Sequence, residues 1–126
     1  MTKQTYNPKD ISFDAAGKKL GRLASEIALA LRGKTSADFL PNRTVFPRIT
    51  VKNVDAISYR SEQKTKKTEF ARYSGYPSGR RVFTAHDVLK KDQRELLRRA
   101  VWGMLPKNRL RAKMIKNLTL YHADKN

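Results

Sequence analysis

The chain has 126 residues, of which 28 are lysine or arginine and 11 are aspartate or glutamate, so its formal net charge at neutral pH is +17. With 39% hydrophobic residues, it can form one domain around a modest core. It has no cysteine for disulfides, thiolate catalysis or zinc ligation, no apolar run near the roughly 20 residues that cross a bilayer, and no signal-peptide core in residues 1–10. We therefore expect a cytoplasmic protein without a membrane partner.

The chain begins with a predicted strand at residues 11–14, followed by a turn and a helix. The helix is indicated by apolar residues that recur at helical spacing, namely Leu20, Leu23, Ala24, Ile27, Ala28 and Leu31. Gly33 suits the left-handed position that ends such a helix. Arg22 and Glu26 share the opposite face, where their spacing predicts an ion pair.

The middle of the chain predicts short strands separated by irregular segments. Residues 35–47 contain two prolines and predict an irregular connection. Residues 48–53 alternate between apolar and polar side chains, as in a strand, and residues 56–59 predict a second short strand. The polar residues 61–67 predict an exposed loop or hairpin tip, and residues 70–76 return to strand-like composition.

Two capping boxes predict two helices after the turn signal at residues 75–79. Thr84 and Asp87 have the spacing of a box that opens a short helix ending at Leu89. Asp92 and Glu95 repeat the pattern and open a longer helix. The residues predicted to share one face of it are Leu96, Leu97, Ala100, Val101 and Met104. Those predicted to lie away from this face are Arg94, Arg98 and Trp102.

A last strand is predicted at residues 118–121. Strands separated by helical crossovers favour a layered α/β domain whose largely parallel sheet is covered on both faces. We expect residues 1–126 to form a single domain, with residues 1–10 as an N-terminal extension and residues 122–126 as a short tail.

Residues 107–116 form a run of five cations without an acid, which we call the cationic segment. The cations are Lys107, Arg109, Arg111, Lys113 and Lys116. Leu110, Met114 and Ile115 interrupt them, so the segment can pack one edge on a core and hold its charges outward. Taken alone, so short a run is more often a solvated basic helix.

The distribution of charge over the whole chain favours a polyanionic partner. Residues 1–63 carry a net charge of +5, whereas residues 64–126 carry +12. Such an excess destabilises a compact state by self-repulsion unless a partner neutralises it. Nucleic acid is the commonest polyanion that requires this of a small folded domain.

Other motifs indicate no catalytic or cofactor chemistry. Residues 33–35, Gly-Lys-Thr, imitate the end of a P-loop, but that motif needs a glycine where Ala28 stands, with a strand before it and a helix after it. His86 and His122 are too few and too far apart for a metal site. We expect no enzyme activity, no cofactor, no metal and no small-molecule substrate. For Trp102, packing in the core and a contact with RNA are equally open.

Several segments, taken in order, resemble one known family. They are residues 14–25 (DAAGKKLGRLAS), 31–34 (LRGK), 73–79 (YSGYPSG), 101–107 (VWGMLPK) and 118–121 (LTLY). Together they are similar to the family of the thirteenth large-subunit ribosomal protein, over roughly residues 11–121. The resemblance implies a three-layer α/β/α fold with a four-stranded, mainly parallel core sheet. It also implies a structural role in which the protein binds large-subunit ribosomal RNA beside neighbouring ribosomal proteins. The resemblance further implies that the protein joins the subunit early in assembly.

The chain departs from the family pattern at three places. Tyr73 stands where a histidine is usual, Ser78 stands where a second glycine is usual, and residues 46–47, Phe-Pro, replace a common Gly-Asp. A tyrosine can still stack on a base or hydrogen-bond a phosphate, so Tyr73 is kept as a candidate contact.

The candidate RNA-binding residues are the cations and tyrosines of segments that we expect to be exposed. They are Lys18, Arg22, Arg32, Lys34, Arg43, Lys64, Lys66, Lys67, Arg72, Tyr73, Tyr76, Arg80, Arg81, Arg98, Lys107, Arg109, Arg111, Lys113 and Lys116. The function predicted from them is an rRNA-binding structural constituent of the large ribosomal subunit that supports assembly and translation. The alternative is a free RNA-binding regulator or a nucleic-acid-modifying enzyme that uses the same basic faces.

Overall fold

The computed structural model describes residues 9–35, 37, 45–59 and 62–123, which form a mixed α/β domain. Its strands are β1 (Ile11–Asp14), β2 (Ile49–Lys52), β3 (Glu69–Tyr73), β4 (Arg80–Thr84) and β5 (Leu118–Leu120). Its helices are α1 (Leu20–Arg32), α2 (Glu62–Lys67), α3 (Ala85–Lys91), α4 (Gln93–Met104) and α5 (Arg111–Lys116), with a 3-10 turn at Val54–Ala56. Most of the predicted connection at residues 35–47 lies outside the described residues.

A parallel sheet forms the centre of the core. Its strand order is β1-β2-β5, with Ile49 paired to Ile11 on one side and to Leu118 on the other. Ile49 and Val51 are fully buried, as the alternation of residues 48–53 predicted. The strands predicted at both ends of the chain are confirmed and lie on either side of β2.

Helix α1 covers this sheet with the face that the sequence predicted. Leu23, Ile27 and Leu31 are fully buried. The helix ends at Gly33, which adopts a left-handed φ of 78° and donates its N–H to the carbonyl of Ala30. Both features confirm the prediction from the sequence.

The ion pair predicted between Arg22 and Glu26 on α1 is replaced in the structure by a pair between Lys18 and Glu26. Glu26 Oε2 lies 3.5 Å from Nζ of Lys18 and is not paired with Arg22. Lys18 belongs to the turn before α1, so the interaction depends on how that turn folds back. It could not be derived from helical spacing.

Helix α4 packs against α1 through Leu97 and Val101, which are fully buried. Met104 lies on the same side of α4, as predicted, although 44% of it is exposed. Met104 is the last residue of α4, and its Sδ accepts a hydrogen bond from the hydroxyl of Ser25 on α1 at 3.4 Å. Leu105, just beyond the helix, is buried instead.

The central sheet has three strands in the described part of the chain, where four were predicted. Residues 56–59 contribute only an isolated parallel bridge between Ser58 and Lys19, because the 3-10 turn at Val54–Ala56 carries the chain away from the sheet. Strands β3 and β4 pair with each other in a separate antiparallel hairpin.

The segment at residues 61–67 was predicted to be a loop, but Glu62–Lys67 forms helix α2. Thr68 ends this helix, because its N–H and its hydroxyl both donate to the carbonyl of Lys64, at 3.0 and 2.9 Å. Helix α2 packs against α3 and β4. Tertiary contact therefore stabilises a helix whose polar sequence shows no apolar face.

Both predicted helix starts are found. Thr84 and Asp87 form a reciprocal capping box at the start of α3, in which each side chain accepts a hydrogen bond from the other residue's N–H. Asp92 caps α4 by accepting from the N–H of Arg94 at 2.9 Å. The side chain of Glu95 does not complete this second box, since it accepts from Arg99 Nε at 3.2 Å.

Candidate nucleic-acid interface

The cationic segment is held to the body by a turn and by apolar anchors. Asn108 builds the turn, because its Oδ1 accepts from the N–H of Leu110 at 3.0 Å and its carbonyl accepts from the N–H of Arg111 at 3.3 Å. Met114 on α5 is buried in the core, and Leu110 and Ile115 pack against the same core. The segment is therefore a fixed part of the domain.

The cations of this segment lie on the outside, as predicted. Lys107, Arg109, Lys113 and Lys116 are exposed. Arg111 is half-buried, and its guanidinium carbon lies 4.3 Å from the ring centroid of Trp102 on α4. Cation–π stacking of this kind orients both side chains. The arrangement leaves four exposed cations available to a phosphate backbone.

Trp102 lies at the surface of α4. It is 39% exposed and is absent from the buried core. Arg98, one turn earlier on the same helix, is also exposed. The sequence left open whether Trp102 packs in the core or contacts RNA, and the structure excludes the core position.

The β3–β4 hairpin carries a second group of exposed cations. In its register Arg72 lies opposite Arg81, and Tyr73 lies opposite Arg80. Like charges directly opposite each other destabilise an antiparallel pair, so a bound anion would stabilise this hairpin. Tyr73 and Tyr76 are 68% and 76% exposed, which leaves their rings open to a base or a phosphate.

The hairpin turn has a tightly specified backbone. Gly75 has a φ of 90° and Ser78 a φ of 62°, both in the left-handed region. Gly79 has no space for a side chain, since a Cβ there would collide with Ser74 Oγ and lie 2.8 Å from the carbonyl oxygen of Tyr76. The serine at position 78 thus occupies a conformation that favours glycine, the residue expected there from the family pattern.

Arg99 joins this hairpin to α4, a role that the sequence analysis missed. Its guanidinium carbon lies 5.4 Å from the ring centroid of Phe70 on β3 and 5.0 Å from that of Phe83 on β4. Glu95, one turn earlier, accepts from Arg99 Nε. The Glu95–Arg99 spacing was a visible signal for the ion pair, but the two phenylalanines are brought there by the fold. Arg99 is thus a positioning residue for the hairpin cations.

Two further candidate cations border a cleft of about 460 Å³ between α1, α2 and α4. Arg22 and Lys64 lie at its edge. The hydroxyl of Tyr59, which also borders the cleft, is buried and has no hydrogen-bond partner, and this burial raises the pKa of Tyr59 above its usual value. The structure thus brings Arg22 and Lys64 to one site.

The remaining candidates are distributed over the surface. Lys18, Lys34, Lys66 and Lys67 are exposed, and Arg32 is half-buried at the end of α1. Lys18 is partly neutralised by Glu26. Arg43 lies outside the described residues.

The acids near these surfaces serve structural roles. Hydrogen bonds from Arg94 lower the pKa of Asp92, and those from the N–H and hydroxyl of Thr84 lower the pKa of Asp87. His122 Nδ1 lies 2.7 Å from Asp55 Oδ1, which links the end of the chain to the 3-10 turn. Across the described ranges, no three histidine or acidic side chains are grouped to hold a metal ion, and no helix is long and apolar enough to cross a membrane.

The amino-acid sequence is similar to those of one family of known proteins. The family model described as ribosomal protein L13 matches residues 9–126. A protein of Nocardioides sp. named large ribosomal subunit protein uL13 is 38% identical, over 94% of this chain and 84% of that protein. Proteins of the same name from Natranaerobius thermophilus and Coxiella burnetii are 41% and 36% identical, over 90% and 96% of this chain and 78% and 84% of theirs.

Proposed function

Because the chain belongs to the ribosomal protein L13 family, we propose that it is a structural, non-enzymatic constituent of the large ribosomal subunit. Its partners are large-subunit ribosomal RNA and neighbouring ribosomal proteins, and its place is the cytoplasm. The observation that carries the proposal is the family match over residues 9–126, which covers the whole described body and every exposed cation described above.

The proposed mode of binding is electrostatic and shape-dependent. Lysine and arginine side chains of the cationic segment, the hairpin and α2 contact phosphates, and the release of counterions supplies most of the affinity. The deep groove of A-form RNA hides its base edges, so specificity comes from RNA shape and from a few unstacked bases. The fixed attachment of α5 and of the hairpin supports this mode, because it sets the spacing between the cations.

The proposal retains two finer expectations. One is a three-layer α/β/α arrangement of the domain, with helices on both faces of the sheet. The other is an early entry into the assembling subunit. No specific observation favours a nucleic-acid-modifying enzyme, since the acids named above are engaged in helix caps and ion pairs.

The test is salt-dependent co-sedimentation with large ribosomal subunits depleted of the protein. The double variant Arg109→Ala/Lys113→Ala loses two exposed cations of the cationic segment. Each lost phosphate contact should reduce the slope of log affinity against log salt by up to about one unit. The variant should remain folded by circular dichroism, because both side chains are exposed.

The matched control is Lys9→Ala/Lys90→Ala, which removes the same charge from two exposed positions outside the candidate set. We expect this control to keep most of its affinity and most of its salt slope. Equal losses in the two double variants would show that only total charge matters. That outcome would contradict a specific role for the cationic segment.

A further inference from the structure

A surface cleft of about 410 Å³ lies between α4, β3 and α5. Phe70 of β3, Trp102 of α4 and Ile115 of α5 give it apolar and aromatic walls. Arg98 and Arg99 supply cations at the same cleft. Glu95 is the acid there, and it already accepts a hydrogen bond from Arg99. A flat apolar group that carries negative charge matches this combination of walls and cations.

Trp102 is held in position on the wall of this cleft. The Arg111 guanidinium stacks on its ring, yet 39% of the residue stays exposed. The next residue, Gly103, also lines the cleft and has open space where a side chain would stand. A large exposed aromatic ring that is already oriented loses little conformational entropy when a second flat group stacks on it.

We propose that this cleft accepts one unstacked nucleobase of the bound RNA, which stacks on the exposed part of the Trp102 indole. Arg98 neutralises the phosphate of that nucleotide, and Arg111 keeps the indole oriented. Single-stranded RNA is recognised in this way, by bases that stack on aromatic rings or guanidinium planes. This nucleobase site rests on the proposed function. It adds a contact with a base to the contacts with phosphates.

The fluorescence of Trp102 is a direct probe, because it is the only tryptophan of the chain. We expect a short single-stranded RNA oligonucleotide to quench it on binding, since a stacked base contacts the indole. Inorganic polyphosphate of similar charge competes for the cations but carries no base. It should bind without comparable quenching. Equal quenching by both polyanions would overturn the proposal.

Affinity provides the second measurement, with a labelled large-subunit RNA fragment as the probe. Trp102→Ala should weaken binding on the order of tenfold, the effect of losing one base–aromatic stack, while leaving the salt slope unchanged. Trp102→Phe should restore most of the affinity. Leu29→Ala is the matched control, because it trims another exposed apolar residue on a helix and should have no effect. Circular dichroism and melting temperature verify that each variant is folded.

The outcomes separate the two proposals. If Trp102→Ala binds as tightly as the unaltered protein, or if Leu29→Ala loses as much, the nucleobase site is refuted while the ribosomal role stands. If the unaltered protein binds neither RNA nor depleted subunits, the proposed function fails and the nucleobase site fails with it.

Discussion

Individual carboxylates stabilise this cationic domain at helix starts and turns. Asp92 accepts hydrogen bonds from the backbone and side chain of Arg94, and its pKa is lowered chiefly by the side-chain bonds. The pKa of Asp87 is lowered by Thr84, and that of Asp14 by the N–H of Ala16 and then by Asn53. Each of these groups is therefore more acidic in the folded state than in the unfolded chain.

The direction of the pKa shifts predicts a loss of stability in acid. A carboxyl whose pKa is lowered by folding stabilises the protein above its unfolded pKa, near 4, and this contribution is lost as pH falls through the folded pKa. We expect the melting temperature to fall as pH decreases from about 5 to below 3, measured by thermal unfolding at constant ionic strength.

Asp92→Asn should flatten part of this pH dependence while it keeps a good capping side chain. Asp10→Asn removes the same charge from an exposed residue and should leave the acid dependence nearly unchanged. If the two variants respond alike, general charge repulsion explains the acid sensitivity, and the hydrogen bonds of Asp92 do not.

Single residues were predictable where their partners are close in sequence. The capping residues Thr84 and Asp92 follow from a local pattern, and both are found. The stacking of Arg111 on Trp102 joins side chains from two helices and requires the turn at Asn108 between them. Arg99 likewise meets its two phenylalanines only after the hairpin has docked. Such contacts depend on tertiary geometry, which the sequence does not display.

At the level of whole elements, α1 offers the sharpest test of packing. Leu23 on this helix is 0% exposed, and Leu23→Asp would bury a carboxylate without a partner at a cost of several kcal/mol. A domain of this size has a total stability of only about 5–15 kcal/mol. We expect this variant to be largely insoluble or to unfold at much lower urea concentration.

The neighbouring substitution Arg22→Ala provides the control, because the side chain of Arg22 is exposed. It should change the urea midpoint little. Similar losses of soluble protein in both variants would contradict the position of α1 on the sheet.

Elements were predicted correctly where hydrophobic periodicity was strong. Helix α1 and strand β2 show clean helical and alternating patterns, and both are found within a residue or two of the prediction. Helix α2 was missed because residues 61–67 are polar throughout and lack a periodic signal. Strand β4 was not predicted from the sequence, so its pairing with β3 in a hairpin separate from the main sheet was also missed.

Across the whole molecule, a net charge of +17 makes stability dependent on anions. Opposed cations such as Arg72 and Arg81 repel each other unless an anion lies between or near them. A ligand that binds only the folded state adds about 2.7 kcal/mol of stability at a hundred times its dissociation constant. We expect sulfate, phosphate and RNA fragments to raise the melting temperature.

Sodium chloride at matched ionic strength is the control, because it screens charge without offering a multivalent oxyanion. Sulfate should raise the melting temperature more than chloride does, and RNA should act at far lower concentration. A melting temperature that stays flat as RNA is titrated at low salt would rule out this electrostatic stabilisation.

The order of the strands in the central sheet has a consequence for biosynthesis. β5 pairs with β2 and is the last element in chain order among the described residues. During vectorial synthesis β2 is made before β5. The apolar residues of β2 therefore have no paired strand on that side until Leu118–Leu120 has been synthesised and can pair with it. The cationic segment is translated immediately before β5 and becomes anchored at both ends only then. The final geometry of this cationic surface therefore depends on the pairing of β5 with β2.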